Sequence, residues 1–182
     1  MRIIAGDKKG LRLKSLDGVQ TRPTLDKVKE SVFNMIGPYF NGGLVVELFG
    51  GSGALSLEAL SRGASEAFIF EKNRKACAVI KSNVEKCHYH EIVHINQADA
   101  RNASKILRQQ SEKIDLLFID PPYAQNDFYQ LAETFAMEGL LAESAIIVCE
   151  HDHKLALPES YGPFPKKKCT TYGNIAISIY EK

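Results

Sequence analysis

The chain has 182 residues, about one domain at roughly 100–200 residues each. Apolar residues make up 45% and charged residues 25%, which excludes a globally disordered or collagen-like chain, and no run nears the roughly 18 apolar residues of a membrane span. The net charge of +1 is unevenly placed: residues 1–22 carry Arg2, Lys8, Lys9, Arg12, Lys14 and Arg22 against Asp7 and Asp17, so this arm is +4 and the rest of the chain −3.

A basic arm on a slightly acidic body predicts a polyanionic partner reached through one end, with a solvated surface segment as the plain alternative. Met1-Arg2-Ile3-Ile4-Ala5-Gly6 has no apolar run behind it, so no secretory signal is expected. Cys77, Cys87, Cys149 and Cys169 contain no Cys-x-x-Cys pair, and reduced thiols in the cytoplasm are the expectation. Cys87-His88-Tyr89-His90 with nearby His94 lacks a second half of metal-ligand spacing, so no metal is expected.

In chain order, Arg2–Ala5 and Leu11–Lys14 read as a hairpin about Gly6-Asp7-Lys8-Lys9-Gly10. A helix follows, with Thr24 as its cap, a helical period through Val28, Val32, Met35 and Ile36, and Gly37-Pro38 as its stop. Five short apolar runs then predict strands at Leu44–Phe49, Ala67–Phe70, Ile92–Ile95, Ile114–Ile119 and Ala145–Cys149. Helical stretches lie between them at Ala54–Ser61, Arg74–Lys86, Ala100–Gln110 and Phe128–Met137. This alternation predicts a parallel sheet covered on both faces. Lys166–Thr171 and Ile175–Tyr180, joined at Tyr172-Gly173-Asn174, predict a terminal antiparallel hairpin. The expected fold is α/β, a Rossmann-like sheet of seven strands, mostly parallel, with a small N-terminal extension.

Glu47-Leu48-Phe49-Gly50-Gly51-Ser52-Gly53-Ala54-Leu55 stands where the first strand meets a helix. Open α/β sheets bind ligands at that edge, and glycine allows a sharp turn and close backbone approach. The dinucleotide fingerprint fails, because Ser56 stands at the third glycine position, and no Gly-Lys-Ser/Thr closes the loop. A carboxylate at Glu47 repels a pyrophosphate and suits a cationic aminoacyl group. Glu71, after the second strand, can accept both hydroxyls of a ribose. Asp99, after the third, can accept from an adenine amine. Each acid alone reads as a helix cap; together they outline a nucleoside with a zwitterionic tail, and S-adenosylmethionine fits that outline.

Asp120-Pro121-Pro122-Tyr123 ends the fourth strand. The prolines fix the chain direction and leave free carbonyl acceptors. With the Asp120 carboxylate and the flat ring of Tyr123, they suit a planar base bearing an amine. Such an amine is delocalised and a poor nucleophile; acceptors around its hydrogens favour the pyramidal nitrogen of the transition state.

These motifs resemble the bacterial 16S ribosomal RNA guanine-N2 methyltransferases, the RsmD-like group, nearly end to end. The resemblance rests on Met1-Arg2-Ile3-Ile4-Ala5-Gly6 with Lys9-Gly10, on Thr21-Arg22-Pro23-Thr24 with Lys27-Val28-Lys29-Glu30 and Phe33-Asn34, on Gly51-Ser52-Gly53-Ala54-Leu55, on Glu58-Ala59-Leu60-Ser61-Arg62-Gly63-Ala64, and on Asp120-Pro121-Pro122-Tyr123. It implies an N-terminal basic extension over residues 1–40 and an S-adenosylmethionine-dependent methyltransferase domain over 41–182. It implies methyl transfer to a guanine N2 amine of 16S ribosomal RNA, within the small subunit or an assembly intermediate.

The implied cofactor set is Glu47, Phe49, Gly51, Ser52, Gly53, Glu71, Asp99 and Ala100. Asp120, Pro121, Pro122 and Tyr123 form the implied catalytic set. Lys8, Lys9, Arg12 and Lys14 would hold phosphates, with Arg22 near the active-site mouth. Two departures from the group's pattern stand out: Glu47 where Asp is usual, and Gly50 where Ala is usual, the latter expected to be a small, permissive change. Rival readings are methylation of another amine (DNA adenine, other RNA or a protein glutamine), a non-catalytic RNA-binding protein of the same fold, and an oxidoreductase.

Overall fold

A computed structural model describes residues 1–16, 23–122 and 125–182, with side chains from residue 26 onward in the first helix. The chain alternates as expected: α1 (Pro23–Ile36), β1 (Leu44–Leu48), α2 (Ala54–Ser61), β2 (Glu66–Phe70), α3 (Arg74–Cys87), β3 (Val93–Asn96), α4 (Ala103–Leu107), β4 (Ile114–Ile119), α5 (Gln130–Met137), β5 (Leu141–Asp152), β6 (Ser160–Tyr161), β7 (Phe164–Tyr172) and β8 (Ile175–Tyr180). The strands form one sheet in the order β3-β2-β1-β4-β5-β8-β7-β6. The first five are mutually parallel and the last three antiparallel. Among the described residues no helix is long and apolar enough to cross a membrane.

Several expectations are corrected. Among the described residues the sheet has eight strands instead of seven; the extra one is the two-residue β6, paired with β7 through Ser160–Pro165 and Tyr161–Phe164. Pro23, not Thr24, heads α1, since proline at the first helical position gives up an N–H that has no partner there anyway. The helix expected over 100–110 is a 3-10 turn, Ala100–Asn102, followed by the short α4. The stretch before α5 likewise begins as a 3-10 turn, Asn126–Tyr129. β5 runs well beyond Ala145–Cys149 at both ends.

Strand alternation divides the core into two layers. Val45, Ile69, Leu116, Phe118 and Val148 point to one face, where they meet α1, α2 and α3. Leu44, Val46, Leu117, Ile119, Ile147 and Cys149 point to the other, against α4 and α5. The N-terminal arm joins the first layer: Ile3 and Leu13 are buried there with Phe33. Its two limbs pair through Ile3 N–H to Leu11 O (2.9 Å), Gly10 N–H to Ile3 O (2.8 Å) and Leu13 N–H to Met1 O (2.9 Å).

Glu58 of α2 anchors this arm. Its fully buried carboxylate accepts from Ile4 N–H (2.9 Å) and Ala5 N–H (3.1 Å), and pairs with Lys29 Nζ (2.9 Å) and Arg62 Nε (2.7 Å). Ser61 adds its hydroxyl to Ala5 O at 2.6 Å. Gly6 sits so close that a Cβ there would lie 1.7 Å from Ser61 O, and its φ is +88°; only glycine fits both demands.

Candidate active site

The glycine turn bends the chain from β1 into α2. Phe49 takes φ +66°, a left-handed conformation that costs a non-glycine residue about 1–2 kcal/mol. Its ring packs edge-on against Phe128, 4.7 Å between centroids. Gly51 and Gly53 follow at φ +56° and +75°. Gly50 corrects one expectation: a Cβ at this position would lie 2.3 Å from Ile69 Cγ2 and 3.0 Å from Ile80 Cδ1. Beside these two isoleucines, alanine is not a permissive exchange.

A cavity of about 630 Å³ opens over this turn, within the usual range for small-molecule sites of about 300–1,000 Å³. Glu47, Phe49, Gly51, Ser52, Glu71, Asp99, Ala100, Asp120, Pro121 and Pro122 all line it. Gly53 stands just behind the wall as the cap of α2. Tyr123 and Arg22 lie outside the described residues.

Glu47 is buried and accepts from Ser56 N–H (3.0 Å) and Ser56 Oγ–H (2.5 Å). Burial still dominates and pushes its carboxyl up to about 7, while the Ser56 bonds and nearby Lys29 oppose the rise. Glu71 accepts from Gly51 N–H (3.0 Å) and Asn73 N–H (2.8 Å), so it shapes the turn and keeps lone pairs towards the cavity. Asp99 accepts from Arg101 N–H at 2.9 Å and pairs with that guanidinium at 3.3 Å. The same guanidinium lies 4.5 Å over the Phe128 ring, tying the Asp99 loop to the segment after Pro122.

Asp120 is solvent-accessible where it meets the cavity. Dense surrounding protein, and then the charges of Glu150 and Glu47, hold its carboxyl well above the usual range. Burial raises Glu150 as well. His151, on the same wall, is committed to Ser178 Oγ (2.8 Å) and Asp152 O (2.9 Å).

The arm reaches the mouth of this cavity, where Met1, Ser15 and Leu16 form part of the lining. Asn83 of α3 fastens it there. The Asn83 amide accepts from Lys14 N–H (2.8 Å) and donates to Lys14 O (3.0 Å) and Ser52 O (2.9 Å). Lys9, Arg12 and Lys14 project into solvent. Lys8 is half-buried, paired with Asp7 at 3.4 Å and set over the Tyr89 ring at 5.3 Å. The Cys87–His90 stretch is used structurally: Cys87 is in the core, His88 ends α3 in a left-handed conformation, and Tyr89 donates to Asp7 at 2.5 Å.

Sequence reasoning passed over Glu150, Phe128, Lys29 and Asn83. Glu150 had a readable signal, an acid at the carboxyl end of an apolar run, as at Glu47 and Asp120. The other three owe their place to packing between distant segments.

The Conserved hypothetical protein 95 family model matches residues 1–181. A Bacillus subtilis (strain 168) protein named "Putative rRNA methyltransferase YlbH" is 40% identical over 182 residues, covering 100% of this chain and 99% of that protein. "Ribosomal RNA small subunit methyltransferase D" of Escherichia coli (strain K12) is 29% identical, covering 100% and 90%. The solved structure described as "Putative methyltransferase yhhF from Escherichia coli" superposes with a TM-score of 0.84 at 28% identity, over 100% of this chain and 97% of that one.

Proposed function

The chain belongs to the Conserved hypothetical protein 95 family, and from that premise we propose that it transfers a methyl group from S-adenosylmethionine to the exocyclic N2 amine of a guanine in 16S ribosomal RNA. The substrate is the small subunit or an assembly intermediate, and the work is done in the cytoplasm. One observation carries the reading. The glycine turn with its acids and the Asp120-Pro121-Pro122 wall open into the same cavity, so a donor and an accepting base can meet there.

The residues fit the cofactor. Glu47, ionised, would hold the aminoacyl ammonium, Glu71 would accept the ribose hydroxyls, and Asp99, Ala100 and Phe49 would hold the adenine end. Bound S-adenosylmethionine supplies an electrophilic methyl carbon on a sulfonium. The acids of the cavity outnumber its bases, Lys29 and Lys72, and so favour a cation over its neutral demethylated product.

Asp120 and the Pro121 carbonyl accept the two amine hydrogens and turn the nitrogen lone pair out of conjugation. The high affinity of Asp120 for a proton suits it to remove one as the C–N bond forms. The base leaves its stack to enter and rests on Tyr123. Residues 1–40 act as the RNA-facing extension of the domain over 41–182. Lys8, Lys9, Arg12 and Lys14 hold phosphates, with Arg22 nearer the mouth; such contacts orient the RNA but do not choose the base.

Mass mapping of ribosomal RNA from cells with and without the protein tests this. One N2-methylguanine of 16S RNA is expected to vanish with the protein. Identical modification maps overturn the reading.

A further inference from the structure

Two acids of the described cavity wall, Glu150 and Asp152, have no task so far; the Asp152 carboxylate already accepts from Lys154 N–H at 2.8 Å. The β4–β5 register pairs Phe118 with Val148 and Ile119 with Cys149, so the next positions, Asp120 and Glu150, are neighbours on strands about 4.8 Å apart. Alternation sets which way they project. Phe118 and Val148 belong to the core layer beneath α1, and Ile119 and Cys149 to the opposite one. Asp120 and Glu150 therefore share the α1 side of the sheet. Glu47 shares it too, since it pairs with Phe118 across β1 and β4.

Both Asp120 and Glu150 line the cavity. Among the described residues neither carboxyl receives a hydrogen bond or an ion pair; the Tyr129 hydroxyl donates to the backbone carbonyl of Glu150 at 2.6 Å, not to its side chain. Two adjacent acceptors, Asp120 open to the cavity and Glu150 half-buried, with no donor of their own among the described residues, offer their lone pairs to a ligand that brings donors.

The nucleobases differ on this point. The Watson–Crick edge of guanine sets an N1–H donor directly beside its N2 amine. Adenine and cytosine set a ring-nitrogen lone pair beside theirs. Resting on the reading that the accepting group is a guanine amine, we propose that Glu150 is the specificity-determining residue, accepting N1–H while Asp120 accepts an adjacent N2 hydrogen. Adenine or cytosine in the same pose presents a lone pair to the carboxylate and gains no bond. A flipped base is read on this edge by side-chain hydrogen bonds, and a site built to bond an N–H rejects analogues that lack it.

The test uses 16S RNA that carries either guanine or 2-aminopurine at the mapped nucleotide. 2-Aminopurine keeps the amine but has a lone pair at N1. The wild-type protein is expected to prefer guanine by about tenfold or more in kcat/KM, the size of a charged hydrogen bond. Glu150→Gln, whose amide both donates and accepts, is expected to narrow that preference by about tenfold, with S-adenosylhomocysteine affinity measured by calorimetry within about twofold of wild type. If Glu150→Gln does not bind S-adenosylhomocysteine, Glu150→Ala replaces it with the same expectation. A preference equal in wild type and variant, or absent from wild type, overturns the assignment of Glu150. A wild-type protein that forms no N2-methylguanine overturns instead the reading beneath it.

Discussion

Glu58→Ala tests how the arm is held to the domain. The substitution leaves Lys29 (5% exposed) and Arg62 (3% exposed) as buried cations without their carboxylate. It also strands the Ile4 and Ala5 N–H groups that donate to it. Breaking a buried pair by removing one partner costs about 3–5 kcal/mol, and a stranded buried donor about 1–3 kcal/mol. The penalties overlap because Lys29 keeps its bond to Arg2 O (2.5 Å) and Arg62 its bond to Pro38 O (2.9 Å), so we expect a loss of about 4–5 kcal/mol. For a chain of this length that is a fall in Tm of about 10–15 °C. Urea denaturation followed by circular dichroism measures it at equilibrium. A loss below about 1 kcal/mol refutes the idea that this carboxylate is the anchor. The double variant Glu58→Leu with Lys29→Met removes acceptor and cation together, and is expected to recover part of the loss.

Asp120→Ala is expected to keep S-adenosylhomocysteine binding and lose methyl transfer by at least about a hundredfold, as for a general base; calorimetry and tritium transfer report the two, and undiminished turnover refutes the role. Calorimetry on the wild type should show no binding of NAD. Four phosphate contacts give log affinity for RNA a slope against log salt of about −3, at roughly 0.7 per contact. Neutralising Lys8, Lys9 and Arg12 together should flatten the slope by about 2 without changing cofactor affinity, and an unaltered slope eliminates that contact set. For Glu47 the sign is set by a folded-state pKa of about 7 above an ordinary 4.5. Between those values the folded chain keeps a proton that the unfolded chain has lost, so stability falls as pH rises through the window. Glu47→Gln should remove up to roughly 3 kcal/mol of that fall, while Asp120 and Glu150, shifted the same way, keep some slope. Denaturation at pH 5, 6, 7 and 8 checks it, and an unchanged slope refutes the buried, protonated Glu47.

The order of strands and helices could be read along the chain, because each buried parallel strand is a short apolar run and the first helix carries a 3.6-residue period through Val28, Val32, Met35 and Ile36. The glycine turn and Asp120-Pro121-Pro122 were legible for a similar local reason: sharp turns and strand ends need particular residue types within a few positions. β6 was not, since two residues at a sheet edge carry no periodic signal. Nor was the demand at Gly50, which comes from Ile69 and Ile80, two side chains brought to it from β2 and α3.

Local sequence thus determined the fold class, the glycine turn after β1 and the Asp120-Pro121-Pro122 corner after β4. Tertiary structure alone decided that Glu58 clasps the arm from more than fifty positions away, that Asn83 ties Lys14 to the turn, and that Glu150 stands beside Asp120. Those relations depend on strand register and helix packing. Contacts between residues far apart in the chain leave no spacing rule in the sequence, and only the folded backbone brings their charges within reach of one another.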